Sequence, residues 1–433
     1  MRVHFLGIGG SGASAGAALA QAQGFEVTGC DLEPHNEFTT VFKPDQLLKN
    51  HSPKHLSVNL KGYRTNIDIL ATTPAVFSLD PNNPELVEAK EKGIPIMTWQ
   101  QFVGEYLTKD KFVIAICGTH GKTTTTAMIA QVLEDANLDP TVLLGAIHPK
   151  WKANYRVGKG KYFVVEADEF NDNFLHLKPD IAVVTNIEMD HPEYFKDINA
   201  YCDSFEKFLL QTRGTIVANL KDSNVAEIIK DVMKQSKVSA LDFNKIDVEF
   251  NLKIPGNHNI LNAKVAFQVG LLLGINPQTI KQSLENYTGV GRRFELIGQY
   301  QGAQIYSDFG HHPTEIKVTM EAAREKFPDN RILLVYQPHM FSRTKALFGD
   351  FVRVFKNLPV DKIFMMDIYP SREVDTGIVS SQELVKSINK QNVTFSLWED
   401  LKKELQNAAK EGDILFFMGA GDTDKWAKEL AAS

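Results

Sequence analysis

The sequence has little of what marks a secreted, membrane-spanning or nucleic-acid-binding protein. It has three cysteines in 433 residues, Cys30, Cys117 and Cys202. Their odd number and wide spacing fit neither a disulfide framework nor a zinc site, so a reducing cytoplasm is the simplest compartment. No apolar run approaches the ~18 residues of a membrane span, and Met1 leads straight into the strand-like "VHFLGIGG"; neither membrane insertion nor a signal peptide is expected. Positive charge is not in excess: the net charge is -6, with lysines and arginines scattered, so no nucleic-acid partner is expected. Low-complexity tracts and repeats of solenoid period are absent too. What remains is ordinary soluble composition, 43% hydrophobic and 23% charged. That is enough apolar material for two or three domains of roughly 100–200 residues each.

Strand-like apolar runs alternate with helical patterns throughout, which predicts parallel α/β sheets. The first third reads as strand 3–7, a glycine-rich turn, helix 11–23, strand 25–30, strand 67–75 and a helix near 84–92. It closes near residue 107. The second third starts with strand 112–117 and continues through strands 162–168, 181–187 and 214–220, with helices at 198–210 and 254–274. Asn259 or a neighbour is a candidate cap for the last of these. A boundary falls near "TGVGRRFELIG", and alternation then restarts, with helices at 313–326, 344–356, 381–389, 400–410 and 423–431. This predicts a third doubly wound domain.

The chemistry concentrates where strands end. "FVIAICGTHGKTTTTAMIA" (112–130) is a strand, a glycine turn and a helix opening on Gly-Lys-Thr. Such a turn aims backbone N–H groups at phosphate, and the helix N-terminus adds about half a positive charge. Lys122 would reach the β/γ-phosphates and the Thr123 hydroxyl would sit on Mg²⁺. The loop is short, because Ile116 stands where the usual pattern has its first glycine. "VVEADE" and "TNIEMDHPEY" put Glu166 and His191 just past two further strands, the edge where ligands bind in open parallel sheets. Glu169 reads as a solvated loop charge. "GIGGSG" gives Gly7, Gly9 and Gly12, with Asp31 ending the next strand, a geometry that suits any pyrophosphate-bearing nucleotide. "YSDFGHHPTEI" and "YQPHMFSRT" bring Asp308, His311, His312, His339 and Arg343 to strand ends. One of the paired histidines is expected to be structural, and which one stays open.

Taken in order, "HFLGIGGSG", "GTHGKTTTT", "EADE", "TNIEMDH", "PGNHNILNA", "GVGRRFE", "DFGHHPTE", "QPHMFSRT" and "GAGD" resemble the Mur ligases, the ATP-dependent amide ligases of peptidoglycan-precursor synthesis. The resemblance covers essentially the whole chain, and the last motifs narrow it to the alanine-adding branch. It implies three domains: a Rossmann-like UDP-sugar domain (1–107), a P-loop-type ATP domain (108–290) and a Rossmann-like C-terminal domain (291–433). It implies ATP and Mg²⁺ as cofactors, UDP-N-acetylmuramate and L-alanine as partners, and cytoplasmic location, and it admits a homodimer. Gly118, Thr119, His120, Gly121, Lys122, Thr123 and Thr124 would surround the ATP phosphates. His258 and Asn262 would lie near the adenine. Arg292 or Arg293, with Arg293 preferred, would reach toward phosphate. Thr123, Glu166 and His191 would hold metal. Gly9, Gly10, Ser11, Gly12, Asp31 and Thr73 would hold the UDP-sugar, and His311, His312 and Arg343 would face the amino acid and the acyl group. The alternative within the family is the recycling ligase that attaches a whole tripeptide to the same sugar nucleotide.

Overall fold

Strands buried on both faces must be apolar along their whole length, and the central strands Phe112–Cys117, Ile181–Val184, Ile332–Tyr336 and Ile414–Met418 are. A computed structural model describes residues 1–60 and 63–433. It shows an α/β protein with three sheet-containing domains, folded as two compact units. The first unit holds residues 1–187, 202–247 and 264–283, and the second 188–201, 248–263 and 284–433.

The first unit carries two large sheets. One has the strand order Leu47–Lys49, Glu26–Asp31, Arg2–Leu6, Ile69–Thr72, Ile96–Thr98, all parallel. Helix Ser11–Ala22 follows its central strand; its run of alanine, glycine and serine, buried from Ala13 to Ala20, lets it lie close on the sheet. The other sheet has seven strands, ordered Ala153–Arg156, Thr141–His148, Tyr162–Glu166, Phe112–Cys117, Ile181–Val184, Thr215–Ala218 and Ser239–Asp242. Only the Thr141–His148 and Ala153–Arg156 pair is antiparallel, and the sequence reading had missed it. The chain leaves Phe112–Cys117 toward one edge and later returns to build the other. The carboxyl end of that strand is therefore the switch point at which such sheets bind ligands.

The second unit is built on six strands in the order Glu295–Tyr300, Ala303–Asp308, Ile414–Met418, Ile332–Tyr336, Lys362–Met365, Val393–Phe395. Its core shows the period of two expected of a sheet covered on both sides. Ile332, Leu334 and Tyr336 enter one cluster with Phe351 and Leu384, while Leu333 and Val335 enter another with Leu401 and Leu430.

Two expectations need correction. The helix expected over 344–356 is two, Phe341–Ala346 and Phe348–Asn357, with Leu347 (φ -100°, ψ 18°) out of helical geometry between them. Asn259 does not cap its helix from outside. It lies inside Asn257–Leu272, and its amide donates back to the Pro255 carbonyl at 2.7 Å. No described helix is long and apolar enough to cross a membrane.

Candidate active site

In the first unit, strand Phe112–Cys117 ends in a loop that only glycine can close. Gly118 has φ 127°, and a Cβ there would fall 2.1 Å from Thr185 Oγ1. Gly121 (φ 81°) is the N-cap of helix Lys122–Asp135, so the first helical N–H groups face the loop mouth. Thr185 and Asn186, just past the neighbouring strand, hold the loop in shape. Asn186 accepts from Thr119 N and His120 N, both at 2.9 Å, and the Thr185 hydroxyl donates to the His120 carbonyl at 2.6 Å. Thr123, Thr124, Thr125 and Thr126 are all buried, and the Thr126 hydroxyl donates to the Lys122 carbonyl at 2.8 Å.

Lys122 Nζ donates to Gly118 O at 2.5 Å, Thr119 O at 3.1 Å and Glu169 Oε1 at 2.9 Å. Glu169 is therefore not a solvated loop charge. It is fully buried and faces the lysine. Residues Asn171 and Asp172, both left-handed, turn the chain just beyond it. Burial opposes the lysine charge, but Glu169, Asp168 and Glu166 outweigh it and raise the ammonium pKa above its ordinary value. The Thr123 hydroxyl donates to Glu166 Oε1 at 2.9 Å, and Gly145 N donates to Glu166 Oε2 at 2.8 Å. A hydroxyl and a carboxylate side by side are hard oxygen donors, the set that suits Mg²⁺.

The amino-terminal glycine loop of the same unit is gathered around Asp31. Gly9 N donates to Asp31 Oδ2 at 3.0 Å, and Asn36 donates to Gly9 O at 2.9 Å. Gly10 caps helix Ser11–Ala22, and Ser11 O accepts from Asn154 at 2.7 Å. Gly12 packs on the Trp99 ring, and Thr73 packs over Gly7. The residues expected for the UDP-sugar thus lie at one loop.

In the second unit, Arg343 is 2% exposed. Its Nε donates to Asp190 Oδ1 at 2.9 Å, and one terminal nitrogen contacts His339 Nδ1 at 3.1 Å. Burial disfavours the Asp190 carboxylate, yet His191 and Arg343 hold it well below the usual range. His191 is left-handed (φ 54°), donates its N–H to Asp190 Oδ1 at 2.8 Å, and has Nδ1 3.2 Å from Glu193, which also pairs with Arg372. His311 is pushed down to about 4 by burial and then by Arg343, so it is neutral at pH 7. The His312 side chain is 3% exposed and caps helix Pro313–Lys326 by accepting from Thr314 N at 3.3 Å. His258 is half-buried, lies against Gly256, and is pushed down to about 4 by desolvation. Asn262 is 7% exposed and donates to Asn259 at 3.2 Å. Both paired arginines lie over the Phe309 ring, but Arg292 also donates to Gly419 O at 2.7 Å.

The sequence reading missed Glu169, Asp190, Glu188 and the Thr185–Asn186 pair. Asp190 and Glu188 were within sight, since both lie in "TNIEMDH"; Glu188 accepts from the Thr314 hydroxyl at 2.9 Å.

A lysine- and threonine-bearing phosphate loop at the switch point of a parallel sheet, in a chain with two more such sheets, defines a multidomain nucleotide-dependent enzyme. Three family models match in succession: the Mur ligase family catalytic domain over residues 2–111, the Mur ligase middle domain over 116–245, and the Mur ligase glutamate ligase domain over 292–421. A UDP-N-acetylmuramate–L-alanine ligase of Clostridium tetani is 37% identical over 98% of this chain and 96% of its own length. The solved UDP-N-acetylmuramate–alanine ligase of Thermotoga maritima superposes with a TM-score of 0.80 at 28% identity, covering 100% of this chain and 98% of that one. A murein peptide ligase of Psychrobacter arcticus, at 24% identity and a TM-score of 0.70, covering 100% of this chain and 98% of that one, shares the fold. The chain belongs to the Mur ligase family.

Proposed function

We propose that this enzyme joins the lactyl carboxylate of UDP-N-acetylmuramate to the amine of L-alanine, consuming ATP, in the cytoplasm. A carboxylate does not condense with an amine unaided, because oxide would have to leave. One carboxylate oxygen therefore attacks the γ-phosphorus and ADP departs. The alanine amine then attacks the acyl carbon, phosphate departs with the C–O bond, and the amine nitrogen loses its proton. The Lys122 ammonium and the N–H groups of residues 118–124 stabilise charge on the phosphoryl oxygens. To do so Lys122 must turn from Glu169 and its own loop carbonyls toward the nucleotide. Thr123 and Glu166 would hold Mg²⁺, which when bound neutralises phosphate charge.

By the same reading, residues 1–107 serve the UDP-sugar, with Gly9, Gly10, Ser11, Gly12, Asp31 and Thr73 in contact with it. Residues 108–290 serve ATP, and residues 291–433 the amino acid. His258 and Asn262 are assigned to the adenine, Arg293 to the ATP phosphates, and His311 and Arg343 to the alanine end. His312 acts through its cap on the following helix.

The observation that carries the reading is the loop at 118–123, where a charged lysine, a hydroxyl and two carboxylates meet at one helix N-terminus. The names of the 37% and 28% identical relatives support the choice of substrate. The test is phosphate release with ATP, UDP-N-acetylmuramate and each amino acid in turn, with product masses recorded. Release that needs both the sugar nucleotide and L-alanine is expected. ATP binding without substrate-dependent release, or coupling of a tripeptide in place of alanine, would overturn it.

A further inference from the structure

A second group of ligating side chains lies on the amino-terminal sheet, away from the phosphate loop. His4 comes from strand Arg2–Leu6 and Cys30 from its neighbour Glu26–Asp31. The parallel register pairs His4 with Thr28, so Cys30 stands two residues along on the same face. His55 comes from the turn Pro53–Leu56, and Glu85 from the first turn of helix Pro84–Glu91. One ligand atom from each of the four lies within 4.8 Å of the others. His4, Cys30 and Glu85 are 0% exposed. Glu85 Oε1 lies 3.0 Å from Cys30 Sγ and 2.9 Å from His55 Nδ1, and Glu85 Oε2 lies 3.1 Å from His4 Nε2.

We propose that His4, Cys30, His55 and Glu85 form a structural site for one zinc ion. One sulfur, two imidazole nitrogens and a carboxylate oxygen are a zinc donor set, and four protein donors make a closed, structural site. Charge points the same way. A thiolate, a carboxylate and two neutral imidazoles sum with Zn²⁺ to zero, the least costly state for a buried cluster. The His4–Glu85 approach at 3.1 Å is not aligned as a hydrogen bond, and His4 Nε2 and Glu85 Oε2 are both buried without one. The other His4 nitrogen contacts the Thr28 hydroxyl at 2.8 Å, the outer hydrogen bond that orients a ligating imidazole. Ser52 N, donating to Glu85 Oε1 at 3.0 Å, fixes the carboxylate in the same way.

Binding forms the S–Zn bond, breaks the Cys30 S–H bond and releases that proton to solvent. The ion would tie together four segments distant in sequence. It would also brace the glycine loop, because the Cys30 carbonyl accepts from both Gly7 N (2.9 Å) and Ile8 N (3.1 Å).

The experiment uses the full chain, stripped with a chelator and kept in excess Mg²⁺ to occupy oxygen sites. Titration with Co²⁺ should bind about one ion per chain, with the intense visible bands of tetrahedral cobalt and a sulfur-to-cobalt charge-transfer band, both abolished by Zn²⁺. Cys30→Ser should remove the charge-transfer band. His55→Gln, at the most exposed of the four ligands, should weaken Zn²⁺ binding at least about tenfold. The melting temperature should rise with Zn²⁺ in the parent protein and not in Cys30→Ser. No stoichiometric cobalt, only weak octahedral bands, or a charge-transfer band unchanged in Cys30→Ser would each overturn the proposal.

Discussion

Replacing Lys122 with methionine separates what the lysine does for the fold from what it does for the reaction. Methionine keeps the unbranched stem and removes the ammonium. Glu169, fully buried, then loses the lysine 2.9 Å away. Removing one partner of a buried pair costs about 3–5 kcal/mol, most of it from the charge left behind. The lysine side chain is 14% exposed, so water reaches the pair from one side and the low end of that range applies. Lys122→Met should therefore lower the urea midpoint of the unit substantially. Adding Glu169→Gln removes the stranded charge and should restore at least half of the loss. Turnover should behave differently. Loss of a preorganised donor at a developing charge costs about 10²–10³ in rate, and the second substitution cannot restore it. The assay is phosphate release at saturating ATP, UDP-N-acetylmuramate and L-alanine, beside urea titrations of both variants. A double variant that regains stability and also couples alanine at the parental rate would refute the reasoning, because Lys122 would then be a structural ion-pair partner only.

Gly118→Ala should abolish ATP-dependent phosphate release, since its Cβ would lie 2.1 Å from Thr185 Oγ1 at a φ of 127°; measurable turnover in a variant with unchanged circular dichroism would count against the loop geometry. Arg343→Met should destabilise the second unit by about 3 kcal/mol, because Asp190 would keep only the His191 N–H among its close donors, and Asp190→Asn in the same chain should recover part of it; strictly additive urea midpoints would exclude the pairing. Burial, reinforced by Arg343, holds His311 at about 4 when folded, against about 6.5 when unfolded. The unfolded state binds the extra proton between those values, so this contribution is full above about pH 6.5 and is lost as the pH drops toward 4; His311→Asn should lessen the slope by about one proton, with His258 and His148 keeping their share, and an unchanged slope would exclude the cause. Glycine should replace alanine with roughly 10–200-fold lower kcat/KM, since one methyl group in a pocket is worth only about 1–3 kcal/mol; discrimination far beyond that range would require a rejection device not yet located.

The fold was legible wherever one physical rule governed a segment. Buried parallel strands such as "VIAIC" and "ILLVY" are apolar throughout, and helices such as Lys122–Asp135, Pro313–Lys326 and Ser381–Ile388 start after a glycine or a capping side chain. The edge strand Ala153–Arg156 and its antiparallel pairing to Thr141–His148 were not legible. An edge strand faces solvent on one side, and "ANYR" carries no pattern that separates it from a loop. The expected helix 344–356 failed for a related reason. "TKALFGDF" has helical composition across the break at Leu347, and nothing local forbids continuation; tertiary packing of Phe341, Phe348 and Phe351 decides it.

The candidate site divides along a similar line. Asp31 and Glu166 end their strands, and Lys122 and Thr123 open the helix that the glycine loop joins to strand Phe112–Cys117, so the switch-point rule finds them from local pattern alone. Their partners obey no such rule. Glu169 is three residues beyond its strand, in a polar run that reads as solvated, yet it is buried against the lysine, with the left-handed pair Asn171–Asp172 turning the chain just beyond it. Asp190 meets Arg343 across 153 residues of sequence. A buried charge is expensive unless an opposite charge meets it, so the lysine already implies a counter-charge from the sequence alone. What the sequence could not supply is which acidic residue answers, because that choice depends on backbone turns whose cause is tertiary. The same logic governs His4, Cys30, His55 and Glu85. Each is unremarkable in its own segment, and their spacing matches no metal motif. Pattern rules recognise ligands that arrive together on one turn or helix; a site assembled from four segments leaves only composition behind, and twelve histidines with three cysteines is too common a composition to point anywhere.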